Sequence, residues 1–93
     1  MNDAYSQIVI SIIQGQEGVI GPVAVSQASL VKGLKLDWEN KKAVISNDPK
    51  KVIDDLVEQY KTLFGQISVE VCKEAVGRQA QQLSPEEIPS SLR

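Results

Sequence analysis

A chain of 93 residues makes one domain near the small end of the usual range, able to close a single apolar core without a metal or disulfides. Its 42% apolar and 24% charged residues are the proportions of a soluble globular protein. Ten basic against twelve acidic residues leave a net charge of −2, which argues against a nucleic-acid binder, because such proteins draw most of their affinity from neutralising phosphate.

The first expected element is a helix from about residue 3 to residue 14 or 16, capped by Asn2 or Asp3. Tyr5, Ile8, Val9, Ile12 and Ile13 fall at helical spacing, and Ile10 adds an apolar residue on the far side. Its β-branched content leaves a strand through residues 8–13 as a competitor. Gly15, Gly18 and Gly21 then recur at spacing three and read as a flexible joint. G-x-x-G-x-x-G is not a phosphate-binding fingerprint, and no Lys-Ser or Lys-Thr pair follows it.

Pro22 opens a second expected helix, which Gly33 ends. Ala24 and Ala28, four apart, let another helix approach closely, so this helix is expected to pack back against the first. Leu34-Lys35-Leu36-Asp37-Trp38 alternates with period two and reads as a strand. Glu39-Asn40-Lys41-Lys42 is a polar turn, and Ala43-Val44-Ile45-Ser46 is the return strand. A lone hairpin is marginal in water, so it must lie on helices, with Trp38 as the staple.

The third helix is the most fully specified. Asp48 caps it, Pro49 occupies its first position, and Val52, Ile53, Leu56, Val57, Tyr60, Leu63 and Phe64 form one apolar stripe. Gly65 supplies a left-handed stop. A fourth helix is expected from residues 66–68 to about 83, with Ser68 as a cap and Glu74 and Arg78 as an i,i+4 pair. Ile67, Val71, Cys72, Ala75, Val76, Gln79, Ala80 and Leu83 are its inward residues. Residues 84–93, with two prolines, read as a flexible C-terminal tail, which leaves 1–83 as the compact domain.

Catalytic chemistry has little to stand on. The sequence has no histidine, so the commonest general base and zinc ligand are missing. Cys72, on an apolar stripe, is expected to be a buried and inert core residue. No metal or other cofactor is expected. Lys50 and Lys51 stand in the first turn of the third helix, where free N–H groups and the helix dipole favour an anion. Lys41 and Lys42 at the hairpin tip could join them as an anion or partner contact. The plainer alternative pairs Lys50 and Lys51 with Asp54 and Asp55 one turn on. The helix–helix–hairpin order resembles part of a winged-helix DNA reader, with Lys41-Lys42 at the wing tip. The would-be reading helix, however, offers Ser26, Gln27 and Ser29 and only Lys32 among charges.

The longest apolar run, Ile8-Val9-Ile10, is too short to span a bilayer, and Met1-Asn2-Asp3 lacks the basic start of a secretory signal. The sequence therefore predicts a cytoplasmic α+β domain, ordered α-α-β-β-α-α, with no membrane partner. Its expected work is non-catalytic protein–protein interaction, including self-association as a homodimer through surplus apolar faces of the first and fourth helices. A nucleic-acid-binding regulator is the alternative, and an anion-binding regulatory module the third reading.

Overall fold

The computed structural model describes residues 3–45 and 48–80. Six elements follow in the expected order: α1 (Asp3–Ile20), α2 (Val23–Ala28), β1 (Leu34–Asp37), β2 (Lys42–Ile45), α3 (Pro49–Phe64) and α4 (Gln66–Ala80). β1 and β2 pair antiparallel, with Leu34 opposite Ile45, Lys35 opposite Val44, Leu36 opposite Ala43 and Asp37 opposite Lys42. This is the small α+β domain that the sequence predicts. The cap at Asn2 or Asp3, Ser46, the Arg78 side chain, the helix end near residue 83 and the tail 84–93 lie outside the described residues.

α1 is a helix, not a strand, and it is central, lying against α2, α3, α4 and β2. Ile8, Val9, Ile12 and Ile13 are fully buried. Helix formation disfavours β-branched residues by a few tenths of a kcal/mol each, whereas burying each side chain contributes about 1.5–3 kcal/mol. Burial decides the conformation. It also narrows one premise of the expected dimer: of the apolar run on α1, Ile8, Val9, Ile12 and Ile13 are covered from within the chain and Ile10 is half-exposed.

The expected joint at Gly15 and Gly18 does not exist, because α1 runs through both to Ile20. The cause lies on α4. A Cβ built at Gly15 would sit 3.1 Å from Ala75 Cβ and 3.4 Å from Val71 Cγ1, so glycine permits the close crossing of the two helices. That contact offsets the roughly 0.5–1 kcal/mol by which glycine weakens a helix. The turn comes at Gly21, whose φ of 77° needs glycine and whose N–H donates to the Glu17 carbonyl at 2.9 Å.

α2 is shorter than expected, six residues, with Ala24 and Ala28 fully buried against α1 and α3. The Tyr60 hydroxyl donates to the Ala24 carbonyl at 2.6 Å, and Gln59 Nε2 donates to Gln27 Oε1 at 2.8 Å. In the turns that follow, Val31 is buried while Leu30 stands out in solvent. Ser6 Oγ on α1 donates to the Ala43 carbonyl at 3.1 Å, and Leu36, Trp38, Ala43 and Ile45 pack on the core, so the hairpin lies on the helices as expected.

α3 follows its sequence closely. The Asp48 carboxylate accepts from the Lys51 N–H at 3.4 Å, and Val52, Ile53, Leu56, Val57 and Tyr60 are buried. The stripe ends early, since Leu63 is 49% exposed and Phe64 half-buried. Gly65 has the expected positive φ, 85°, but its ψ of −173° is extended rather than left-handed helical, a region essentially restricted to glycine. α4 begins at Gln66, directly after Gly65, and buries Cys72 and Val76 of the face expected for it, but not Ile67. Ser68, Val69, Cys72 and Val76 are buried, and Ile67 is 67% exposed. Ser68 is not a cap. It lies inside the helix, its N–H reaching the Gly65 carbonyl at 3.1 Å and its carbonyl accepting from Gln16 Nε2 at 2.9 Å.

Candidate functional site

The four candidate lysines fall into two pairs. Lys41 adopts φ 53° at the end of the hairpin turn, where its N–H donates to the Trp38 carbonyl at 3.1 Å. Its Nζ donates to the same oxygen at 3.2 Å and lies 3.9 Å from the centroid of the Trp38 ring, a cation–π contact. Asn40 closes the turn from the other side, donating from its Nδ2 and its backbone N–H to the Asp37 carboxylate at 2.8 and 3.4 Å. Those two bonds, with the Lys42 charge nearby, hold the Asp37 carboxyl below the usual carboxylate range. Lys42 is exposed and faces Asp37 across the strands.

The second pair stands on the first turn of α3. Lys51 Nζ lies 3.3 Å from Asp55 Oδ2, one helical turn on, which is the plainer role the sequence offered it. Both side chains are well exposed, so the pair contributes little stability. Lys50 is exposed beside it. Lys41 and Lys42 precede or begin β2, whereas Lys50 and Lys51 belong to the first turn of α3, and no hydrogen bond or ion pair found among the described residues joins the two pairs.

Cys72 is fully buried, as the apolar stripe predicts. Burial pushes its thiol up to about 11, against the opposing hydrogen bond from Gln16 Nε2, which lies 3.3 Å from Sγ. Burial, with Cys72 close by, also raises Tyr60. A neutral thiol without access to solvent is a core group rather than a nucleophile. Gln16 is the residue that sequence reasoning missed. It is fully buried, donates from Nε2 to the Ser68 carbonyl and Cys72 Sγ, and keeps Oε1 without a partner among the described residues. The signal was its position, four residues after Ile12 and three after Ile13, on the same inward stripe.

What the surface offers is apolar. Val19, Val23, Leu30, Val44, Leu63 and Ile67 are large side chains left exposed. Four of them stand near residues that hydrogen bonds join. The Gln16–Ser68 and Tyr60–Ala24 bonds tie α1 to α4 and α2 to α3, and Val19, Val23, Leu63 and Ile67 lie within three residues along the chain of those bonded residues. Half-buried Ile20 and Phe64 are the last residues of α1 and α3. Among the described residues, no helix is long and apolar enough to cross a membrane, and no three His, Cys, Asp or Glu side chains gather as metal ligands. Comparison with protein-family models, with curated proteins and with solved structures finds no match for this chain.

Proposed function

We propose that this domain is a non-catalytic protein–protein interaction module that also associates with itself. One observation carries the reading: a chain that has filled its core still holds Val19, Val23, Leu63 and Ile67 in solvent, each close in the chain to a residue of the Gln16–Ser68 or Tyr60–Ala24 bond. Exposed apolar side chains that gather into a patch mark surfaces that another protein covers. The winged-helix alternative has less support, because α2 is six residues long, Gln27 is bonded to Gln59, and Ser29 Oγ donates to the Val25 carbonyl at 3.0 Å. The anion-binding reading has less to draw on, with Lys51 paired to Asp55 and Lys41 held over Trp38.

Self-association is the part that can be tested before a partner is known. A species that assembles on folding melts at a temperature that rises with protein concentration. Differential scanning calorimetry over a hundredfold range of concentration is expected to show that rise. A melting temperature independent of concentration would remove self-association from the reading.

A further inference from the structure

We propose that β1 pairs antiparallel with β1 of a second copy of this chain, giving a four-stranded sheet across a twofold axis at Leu36. This rests on the self-association proposed above and names its surface.

Among the described residues, the edge of β1 away from β2 is paired with no other strand. In an antiparallel ladder, the two residues of a pair either exchange their backbone bonds or both turn them outward, alternately along the strand. Leu36 faces Ala43, and Ala43 sends its carbonyl out of the hairpin to Ser6 Oγ. Leu34, two residues before Leu36, gives its N–H to the Val31 carbonyl at 3.3 Å instead of to β2. Both observations place the 36–43 pair in the outward-turned class, so Leu36 presents its N–H and carbonyl at the far edge. An edge of this kind is a template for another strand.

The sequence along that edge is complementary to itself. Laid antiparallel on a second copy with Leu36 opposite Leu36, Lys35 faces Asp37 twice, once on each side of the axis, and Leu34 faces Trp38. The outward backbone groups belong to the even-numbered residues, so the register can shift only by two. A shift one way sets Lys35 against Lys35, and a shift the other way sets Asp37 against Asp37. Opposite charges on facing residues stabilise a strand pair and like charges destabilise it, so charge alone selects the Leu36-centred register. Lys35 and Asp37 are both exposed, and the Asn40 bonds help keep Asp37 ionised. Leu36 and Trp38 are half-buried, and a neighbouring strand covers what remains of them. A two-stranded sheet also gains from becoming four-stranded. The contact leaves Val19, Val23, Leu63 and Ile67 of each copy free for a different protein.

Sedimentation equilibrium on the wild type, on Lys35→Glu, on Asp37→Lys and on an equimolar mixture of the two variants tests this. Each variant alone places like charges opposite each other and is expected to weaken the dimer at least tenfold. The mixture is expected to dimerise again, as a heterodimer, because the new carboxylate at position 35 then meets the new ammonium at position 37. Asp37→Lys also releases Asn40, so Asn40→Ala is measured beside it. That variant loses the turn bonds, keeps the carboxylate, and is expected to remain dimeric. A mixture that stays monomeric overturns the proposal. So does a dimer that survives Lys35→Glu and is lost in Val19→Ser/Ile67→Ser, which would put the twofold contact at those side chains and leave the interaction reading standing. A wild type monomeric at every concentration removes self-association and this proposal together.

Discussion

A methyl group at Gly15 would lie 3.1 Å from Ala75 Cβ, whereas at Gly18, one turn further along the same helix, it would meet nothing within 4 Å. Two glycines of one helix therefore answer to different physics. Gly18→Ala should raise stability by about 0.5–1 kcal/mol, because it relieves the entropic cost of glycine in a helix and disturbs no contact. Gly15→Val should lower it by about 1–3 kcal/mol by forcing α1 and α4 apart. Urea midpoints of the two variants check this, and shifts of the same sign would contradict the close crossing. Cys72 gives a second residue-scale expectation. Its thiol stands at about 11 in the fold, against about 8.5 for a free thiol, so the folded state holds the proton more tightly than the unfolded state. The stability this contributes is fully present below pH about 8.5 and is lost as the pH rises toward 11, with Tyr60 acting in the same direction at higher pH. Between pH about 8.5 and 10, the melting temperature should fall more steeply for the wild type than for Cys72→Ala. Parallel curves would mean that the thiol is not the source.

At the scale of elements, α3 tests the packing most simply. Leu56 is fully buried at its middle, so Leu56→Ala should cost about 2–5 kcal/mol, from lost transfer energy and the cavity left behind. Lys51→Ala breaks only the exposed pair with Asp55 and should change stability by less than about 0.5 kcal/mol. Equal denaturation midpoints would mean that α3 does not organise the core. This helix was legible in the sequence because its local signals agree: Asp48 caps it, Pro49 starts it, a seven-residue stripe fixes its face, and Gly65 stops it. The second half of α1 was not legible, since Gly15 and Gly18 are poor helix formers. At Gly15 the helix is held by its close crossing with Ala75 and Val71, sixty residues and fifty-six residues further on. The start of α4 was less legible. Cys72 and Val76 of the expected stripe are buried, but in the first turn Ser68, whose carbonyl accepts from Gln16, and Val69 are buried while Ile67 stays outside. The lysines show the limit from the other side. All four were visible in the chain, yet the stacking of Lys41 on Trp38 depends on the left-handed backbone at Lys41, which no periodicity reports.

The whole molecule is a core built around α1, with exposed apolar side chains to spare and, among the described residues, an unpaired strand edge along the hairpin. Ile8, Val9, Ile12 and Ile13 of α1 are covered within the chain, whereas Val19 near the end of the same helix stays exposed. The exposed apolar side chains suit a protein partner, and the β1 edge suits a second copy of this chain. Both belong to a domain whose one thiol is sealed in the core and whose hydrogen-bonded polar interior, Gln16 with Ser68 and Tyr60 with Ala24, joins its helices to one another. Sedimentation velocity on the purified chain, from low micromolar to several hundred micromolar, tests the interaction reading most directly. The sedimentation coefficient is expected to climb with concentration from the monomer toward the dimer. A single monomer boundary throughout that range would contradict it.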